Sequence, residues 1–360
     1  MTGHGSSDPS THGAPIRVAL DMSATRLAGG GVARVSVQLA DALDRRDDVD
    51  VVRVGDGDLV ASGGWRRRML VARTDLYWHP IRGRRTASVH GARVYHCLSP
   101  RAPLRRGSPP TVVTVYDLVM LRYPETMSRW NRIYSRATIR RVLAAADIIV
   151  ASSRDGADDL DRLLGVDGKR VRVVPLGVDH AYFGAPATSM PLDQDYVLFV
   201  GTPEPRKNLA RLLVAMEMVR KRGLDLKLVV AGSAGWGGVS VSGIPGVVHM
   251  GRVDDETLRS LYAHARCLAL PSLHEGFGLP VLEAMAAGCP VVAARVGGLP
   301  EVCGGAAVMV DPLSVASIAG GIERAIAEGA SLSARGRVHA RGWGWDRTGA
   351  ALVGVYRELV

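Results

Sequence analysis

Residues 271–302 read PSLHEGFGLPVLEAMAAGCPVVAARVGGLPEV. An apolar run ends where this stretch begins, and a glycine-containing loop then leads into a Leu-Pro pair that suits the first turn of a helix. The amides at a helix start lie at the positive end of the helix dipole. The stretch therefore predicts a strand, a loop and a helix start whose amides bind an anionic oxygen, such as that of a diphosphate. Those amides belong to Gly276, Phe277, Gly278 and Leu279.

Two carboxylates flank this predicted anion site. Glu275 lies just before the glycines, and Glu283 follows eight residues later, inside the predicted helix. A carboxylate accepts hydrogen bonds from paired hydroxyl groups. The two positions therefore predict a sugar at one end of the anion site and a ribose at the other.

A second motif precedes this one in the chain. Residues 200–213 read VGTPEPRKNLARLL, in which a predicted strand leads through a proline-containing turn to Arg206 and Lys207. Adjacent cations at the carboxyl end of a strand can neutralise the charge that develops on a leaving diphosphate. We therefore expect both side chains to bind that group.

Short β-branched runs alternate with amphipathic stretches along the chain, which is typical of parallel βαβ units. The predicted strands of the first half are residues 16–20, 51–54, 94–97, 111–115, 148–152 and 171–175, with a long helix at about 127–146. Those of the second half are residues 196–201, 226–232, 246–251, 267–272, 290–294 and 306–310, with helices near 206–222, 254–265 and from 279. The sequence thus predicts an α/β protein with two Rossmann-like, doubly wound domains that face a central cleft, where ligands bind at the carboxyl ends of the strands.

Two segments interrupt this pattern. Residues 176–195 are rich in Gly, Pro and Ala with little periodicity, and we interpret them as the linker between the domains. Around residues 62–92 the periodicity breaks down among arginines and aromatic residues, which predicts a long loop or an amphipathic insertion.

The composition limits the classes of protein to which the chain can belong. The chain has 360 residues, 47% of them hydrophobic, which is enough for two ordinary globular cores. The first 15 residues are polar and rich in Gly, Ser and Pro, so we expect a disordered tail, and no apolar run reaches the roughly 18 residues of a membrane span. The four cysteines show no metal-binding spacing, and we expect them to be reduced core residues of a cytoplasmic protein. They are Cys97, Cys267, Cys289 and Cys303.

The formal net charge of +10 is concentrated in the first half. Residues 51–150 hold 18 basic and 6 acidic side chains, whereas residues 181–360 hold 17 and 16. Such a basic region is typical of contact with phosphate-bearing acceptors, an anionic membrane or nucleic acid, and an arginine-rich solvated surface is an equally good interpretation. The aromatic residues interleaved with this charge are Trp65, Tyr77, Trp78, Tyr123 and Trp130. Because no nucleic-acid-binding module is recognisable, we expect no nucleic-acid partner and favour an anionic membrane surface.

The segment from His274 to Ala294, with its Glu-x7-Glu spacing, resembles the glycosyltransferase family 4 members of the GT-B fold almost letter for letter. The resemblance extends over nearly the whole chain after residue 15 and is strongest in residues 196–312. It implies that Glu275 contacts the donor sugar, that Glu283 binds the nucleotide ribose, and that Arg206 and Lys207 bind the pyrophosphate.

The resemblance also assigns further donor residues. It implies that the turn at Arg252 and Val253 frames the nucleobase, and that the glycine loop of Gly30 and Gly31 lies under the donor phosphates. Where the family has a His-Asp pair facing the reacting centre, this chain has Tyr116 and Asp117. Tyrosine titrates near ~10 and is a poor base at neutral pH. We therefore expect Asp117 in the catalytic site and leave the identity of the base open.

The resemblance implies a domain organisation and a function. The predicted parts are a tail at residues 1–15, an acceptor-side domain at 16–180, a nucleotide-sugar-binding domain at 196–342 and a C-terminal helix at 343–360 that crosses back. The expected activity is retaining transfer, favouring mannose from GDP-mannose, to a glycan or lipid-linked acceptor on the inner face of a membrane. The nucleotide sugar is a substrate, and we expect no cofactor and no metal. The alternatives are a UDP-sugar-dependent transferase, a GT-B-like nucleotide-sugar epimerase and a non-catalytic nucleotide-binding protein.

Overall fold

The structure, a computed structural model, describes residues 14–23, 25, 31–55, 64–126, 129–184, 192–233, 235, 241 and 243–360, without the side chains of residues 64, 66, 67, 126, 129 and 131. Nearly all of the predicted tail at residues 1–15 and Gly30 of the predicted glycine loop lie outside these residues.

The first domain is built on a sheet of six parallel strands in the order β2-β1-β3-β4-β5-β6. The strands are β1 (Ile16–Asp21), β2 (Val49–Val54), β3 (Val94–Cys97), β4 (Thr111–Val115), β5 (Ile148–Ala151) and β6 (Val171–Val173). Every residue of β3, β4 and β5 is buried, because helices cover both faces of a parallel sheet. All six strands predicted for this half are confirmed.

The helices of the first domain connect these strands. They are α1 (Gly31–Asp44), α2 (Gly64–Arg73), a π-helix (Thr74–Arg82), α3 (Gly83–Val89), α4 (Val119–Arg122), α5 (Arg129–Ala145) and α6 (Arg154–Leu164). Of the two alternatives predicted around residues 62–92, the long loop is wrong, because residues 64–89 form three consecutive helical segments inserted between β2 and β3. The π-helix is held by Trp78, whose Nε1 donates to Asp21 Oδ2 at 2.9 Å at the end of β1.

The second domain has a second sheet of six parallel strands, in the order β12-β11-β10-β7-β8-β9. The strands are β7 (Tyr196–Val200), β8 (Lys227–Ala231), β9 (Val247–Gly251), β10 (Cys267–Leu270), β11 (Val291–Ala294) and β12 (Val308–Val310). The strand order reverses between β7 and β10, and doubly wound sheets bind ligands at such a switch point. The six predicted strands of this half are also confirmed.

The helices of the second domain flank this sheet on both sides. They are α7 (Leu209–Lys221), α8 (Asp255–His264), α9 (Leu279–Ala287), α10 (Leu299–Cys303), α11 (Val315–Ala327) and α12 (Gly329–Ala340), and the C-terminal helix α13 (Trp345–Arg357) follows them in the chain. Short 3-10 turns occur at Pro124–Thr126, Gly168–Arg170, His180–Phe183 and Pro205–Lys207.

The C-terminal helix α13 contacts the first domain. The hydroxyl of Tyr356 lies 2.7 Å from Nδ1 of His96 on β3, and Thr348 Oγ1 donates to the carbonyl oxygen of Pro175 at 2.8 Å. Before the helix begins, Val178 N donates to the carbonyl oxygen of Trp343 at 2.7 Å. The chain therefore ends against the domain in which it begins, while the domain boundaries at residues 180, 196 and 342 stay predictions.

All four cysteines are buried and free, as the sequence predicts for reduced core residues. Within the described ranges, we find no helix whose length and apolar character would let it cross a membrane.

Candidate active site

The switch point of the second sheet brings together the two motifs that the sequence singled out. Lys207 Nζ donates to Glu275 Oε1 at 2.6 Å, and Arg206 donates to Glu275 Oε2 at 3.1 Å. The two cations follow β7 and the carboxylate follows β10, so each lies at the carboxyl end of its strand. Glu275 is only 7% exposed. The predicted sugar-binding and diphosphate-binding residues therefore form one cluster.

Further contacts fix the Glu275 carboxylate. Ser272 Oγ donates to Glu275 Oε1 at 2.6 Å, and Glu204 Oε1 accepts from Arg206 at 2.5 Å. Burial alone would raise the pKa of Glu275, but the charges of Lys207 and Arg206 and the hydrogen bonds from Lys207 and Ser272 lower it to about 2. Glu275 is therefore ionised at neutral pH. Ser272 and Glu204 were not predicted, although each lies within three residues of a predicted site residue.

The backbone around Asn208 explains why both cations point at Glu275. Asn208 adopts a left-handed conformation with φ of 60°, which ends the turn Pro205–Lys207 and begins α7. Asparagine tolerates this conformation better than most residues. Its buried side-chain amide donates to the carbonyl oxygens of Pro271 at 2.9 Å and Pro312 at 2.7 Å. Asn208 thus ties the turn carrying Arg206 and Lys207 to the loop carrying Glu275.

The glycine loop lies directly against the first domain. A Cβ added to Gly276 would lie 1.9 Å from the carbonyl oxygen of Tyr116 and 2.9 Å from Cβ of Asp117. Ser153 Oγ, at the start of α6, donates to the carbonyl oxygen of Gly276 at 2.7 Å. Only a glycine allows this approach, so the loop that precedes α9 forms part of the contact between the domains.

The remaining loop residues have different surroundings. Gly278 has φ of 98° and directly precedes α9, the helix start that the sequence predicts. Phe277 is buried with its ring edge-on to Trp343, at 5.7 Å between ring centroids, so its side chain is part of the core. Leu279, the first residue of α9, is half-buried and lines a cleft together with Glu283.

Glu283 lies deep between the domains and is 2% exposed. Tyr262 donates its hydroxyl to Glu283 Oε2 at 2.9 Å, and Arg34 of α1 pairs with Glu283 Oε1. Burial raises the pKa of Glu283 to about 7, although Arg34 and Tyr262 act in the opposite direction. Neither Arg34 nor Tyr262 was predicted. The only sequence signal for Arg34 is its position three residues after Gly31.

The other predicted donor residues occupy the rims of the two sheets. Gly31 is the first residue of α1, and no atom of the described part of the chain lies within 4 Å of a Cβ added there. Arg252 is exposed and Val253 is half-buried, just beyond β9, which lies two strands from β7 at the edge of the sheet.

Tyr116 and Asp117 follow β4 and face the Glu275 loop. Burial raises the pKa of Tyr116 above its ordinary value of 10, which makes it a still weaker base at neutral pH. Asp117 Oδ1 accepts from the backbone amide of Val119 at 3.2 Å. Its charge also helps to raise the pKa of Arg206, together with Glu275 and Glu204, although burial opposes this shift. Asp117 therefore lies close enough to the cation cluster to act on it electrostatically.

Among the described residues, one group has metal-ligand atoms within 4.8 Å of one another: Asp155, Asp159 and His274. Asp159 accepts hydrogen bonds from both Arg122 and Arg162. A metal ion there would meet two guanidinium groups, so this group is poorly suited to a cation.

Comparison with known proteins identifies relatives for both halves. Residues 29–182 match the Glycosyltransferase Family 4 domain, and residues 194–328 match the Glycosyl transferases group 1 domain. The O-antigen chain mannosyltransferase B of Escherichia coli is 29% identical over 313 residues, which cover 82% of this chain and 82% of that protein.

Two solved structures share the whole fold. Sucrose-phosphate synthase from Thermosynechococcus elongatus superposes with a TM-score of 0.73 at 21% identity, covering 96% of this chain and 99% of that one. Anabaena HepE in complex with UDP-glucose superposes with a TM-score of 0.70 at 17% identity, covering 96% of this chain and 100% of that one.

Proposed function

Because the chain belongs to glycosyltransferase family 4 and has a GT-B fold, we propose that it is a retaining transferase that moves mannose from GDP-mannose to a glycan or lipid-linked acceptor. The observation that carries this proposal is the cluster of Arg206, Lys207 and Glu275 at the switch point of the second sheet. Two cations on one buried carboxylate form a site with both a diphosphate-binding and a hydroxyl-binding component.

The residues suggest how the reaction proceeds. When the bond between the sugar and the diphosphate breaks, negative charge grows on the leaving phosphate, and Arg206 and Lys207 are placed to neutralise it. Glu275 accepts a hydrogen bond from a hydroxyl of the transferred sugar at Oε2, where Arg206 leaves one lone pair, and keeps both cations in place. The acceptor oxygen bonds to the anomeric carbon of the sugar and, since Tyr116 is too weak a base, the leaving phosphate itself takes the proton from the acceptor hydroxyl. The cations supply the charge that a metal would otherwise supply, so no metal is required.

The choice of donor rests on sequence alone. The TPEPRKNL form of the cation motif is similar to that of mannosyltransferases of polysaccharide assembly, and a mannosyltransferase is among the relatives, at 29% identity. A UDP-sugar is the second candidate, because the structural neighbour HepE binds UDP-glucose.

The test of the proposed function is transfer in the presence of EDTA. GDP-mannose, UDP-glucose and UDP-N-acetylglucosamine are each incubated with the protein and a panel of lipid-linked and soluble glycans, and the products are analysed by mass spectrometry and NMR. The proposal expects an α-linked mannoside, which retains the configuration of the donor. A β-linked product rejects retention. Activity that EDTA abolishes and manganese restores rejects the metal-free mechanism, and nucleotide release without any acceptor product favours an epimerase.

Glu283→Ala is expected to weaken nucleotide binding. If the carboxylate binds the ribose diol, the substitution removes hydrogen bonds to a charged group. One such hydrogen bond contributes about 1.5–3 kcal/mol, so its loss weakens affinity roughly ten- to hundredfold. Calorimetric titration with GDP measures the effect. Glu323→Ala is a suitable control, because Glu323 is a carboxylate of α11 that pairs with Arg222 at the surface of the same domain. An unchanged Kd in a folded Glu283→Ala protein removes Glu283 from the donor site.

The first domain offers a surface for the acceptor's membrane. Apolar side chains are exposed on α2, on the π-helix and at the start of α5: Trp65, Met69, Leu76, Tyr77, Ile81 and Trp130. Arg68, Arg82 and Arg85 are exposed in the same segment, and Trp130 Nε1 donates to Asp75 Oδ2 at 2.9 Å, which joins α5 to the π-helix. Two of the aromatic residues expected at the membrane lie elsewhere. Trp78 is buried and donates to Asp21, and the hydroxyl of Tyr123 donates to the carbonyl oxygen of Leu273 in the second domain.

We therefore propose peripheral binding of this exposed surface to the anionic inner face of a membrane. Each basic side chain near such a surface contributes about 1 kcal/mol, and exposed Trp and Tyr suit the interfacial region. Co-sedimentation should require anionic lipid and fall with rising salt. The triple change Arg66, Arg67 and Arg68 to Ser should weaken binding, as should Trp65→Ser with Met69→Ser. Val338→Ser, which removes an exposed side chain of α12 in the second domain, is the control. Equal binding to neutral and anionic vesicles contradicts the proposal.

A further inference from the structure

One side chain of the first domain reaches the proposed ribose-binding carboxylate of the second. Arg34 lies on α1, pairs with Glu283 Oε1 and also donates to the hydroxyl of Tyr182 at 2.6 Å. Its Nε lies 4.0 Å from Asp255 Oδ1 on α8. The guanidinium therefore joins α1 to α9, to α8 and to the 3-10 turn that precedes the second domain.

The carboxylate of Glu283 keeps acceptor positions for a diol despite these partners. Each carboxylate oxygen has two lone pairs, and Arg34 uses one on Oε1 while Tyr262 uses one on Oε2. One acceptor position therefore remains on each oxygen. Two adjacent acceptor positions match the two adjacent hydroxyls of a ribose.

The surroundings of Glu283 include only one basic side chain that pairs with it among the described residues. The titratable and charged groups around Glu283 are Arg34 of α1, Tyr182 and Asp179 at the 3-10 turn, and Asp255, Tyr262 and Arg259 of α8, of which Arg259 lines the same cleft. Two of these groups are carboxylates, which disfavour a third negative charge nearby. The pKa of Glu283 is raised by burial to about 7 even with Arg34 lowering it, so the charge of Arg34 helps to decide how much of Glu283 is ionised at neutral pH.

We propose that Arg34 is a positioning residue for the nucleotide: it holds the Glu283 carboxylate ionised and oriented so that the ribose diol can bind. This inference rests on the proposed function of Glu283. It makes donor affinity depend on a contact between the two domains, since the arginine and the carboxylate lie on opposite sides of the cleft. Arg34 acts through Glu283 and not by contact with the reacting atoms.

The test compares nucleotide binding over a range of pH. Kd for GDP is measured by calorimetry from pH 6.5 to 9.5 for the unmodified protein and for Arg34→Gln, Arg34→Lys and Glu283→Gln. The ratio of variant to unmodified Kd at each pH cancels the titration of GDP itself. Arg45→Gln is the matched control, because it removes an exposed ion pair between the end of α1 and Asp346 of α13.

Without the guanidinium, Glu283 should ionise only at higher pH. We expect Arg34→Gln to raise the Kd for GDP about tenfold at pH 7, which is the effect of losing one charge-assisted contact. The ratio of variant to unmodified Kd should then fall towards one as the pH rises to 9.5. Arg34→Lys, which restores the charge, should return most of the affinity, and Arg45→Gln should bind as the unmodified protein does. Glu283→Gln should bind weakly with a ratio that rises with pH, since it cannot ionise.

Three results overturn the inference while leaving the proposed function intact. They are an unchanged Kd in Arg34→Gln, a raised Kd whose ratio to the unmodified protein is constant from pH 6.5 to 9.5, and a failure of Arg34→Lys to recover affinity. A different result overturns the proposed function of Glu283 itself, namely GDP binding that is unaffected in Glu283→Gln. The two failures are thus distinguishable in one set of titrations.

Discussion

Replacing Arg206 or Lys207 by alanine is expected to lower kcat by about a hundredfold or more while raising the Kd for the donor by less than about tenfold. Both cations are present before the reaction, but the charge they face grows only as the bond to the leaving diphosphate breaks. Their contribution is therefore larger in the transition state than in the ground state. Both rest on one buried carboxylate, so each is already oriented when the donor arrives.

Steady-state kinetics and calorimetry together check this prediction. Lys221→Ala, at the other end of α7 from the cation turn, is the matched control and should leave both constants unchanged. If the two site variants show a higher KM with an unchanged kcat, the cations bind the ground state only, and their role in the chemical step is wrong.

Glu275→Gln should lose both stability and turnover. The substitution keeps the size of the side chain but leaves Arg206 and Lys207 without their shared counter-charge in a site that is almost closed to water. Removing one partner of a buried ion pair costs about 3–5 kcal/mol, and because Glu204 still pairs with Arg206, we expect the lower end of this range. Turnover should fall by about a hundredfold, since the cations lose the group that orients them.

The stability lost in Glu275→Gln should depend on pH and be greatest near neutral pH. Since the pKa of Glu275 is lowered from 4.5 to about 2, its ionisation contributes about 3 kcal/mol of stability above pH 4.5, which is lost as the pH falls towards 2. The difference in unfolding free energy between the two proteins should therefore be largest at pH 7 and shrink below pH 4.5. Urea denaturation at several pH values measures it.

Glu323→Gln provides the comparison, because Glu323 pairs with Arg222 at the surface, where an ion pair contributes at most about 1 kcal/mol. Two results contradict the electrostatic account of the site. One is a loss of unfolding free energy in Glu275→Gln that is no larger than the loss in Glu323→Gln. The other is a loss in Glu275→Gln that does not change with pH.

The elements with strong local patterns could be predicted from sequence. Both sets of six strands follow from their apolar β-branched runs, and the start of α9 follows from Gly278 and the Leu-Pro pair. The cluster of Glu275, Arg206 and Lys207 was predictable because residues that follow parallel strands meet at one edge of the sheet. These features depend on residues that are close in sequence or on a general rule of topology.

Features that depend on distant partners could not be predicted. The helical segments at residues 64–89 contain many arginines and Pro80, and their position depends on the hydrogen bond of Trp78 with Asp21, which lies 57 residues earlier. The same holds for Arg34, whose partner Glu283 lies 249 residues away. No local periodicity reports such pairs, so Trp78 was expected at the surface and Arg34 was not singled out.

The central claim is that the switch point between β7 and β10 binds the nucleotide diphosphate of the donor. A crystal structure of the protein with GDP, grown in the presence of EDTA, tests it most directly. The account predicts the diphosphate within hydrogen-bonding distance of Arg206 and Lys207, and the ribose diol on Glu283. Nucleotide bound elsewhere on the protein, or at the switch point with its diphosphate away from both cations, would contradict it.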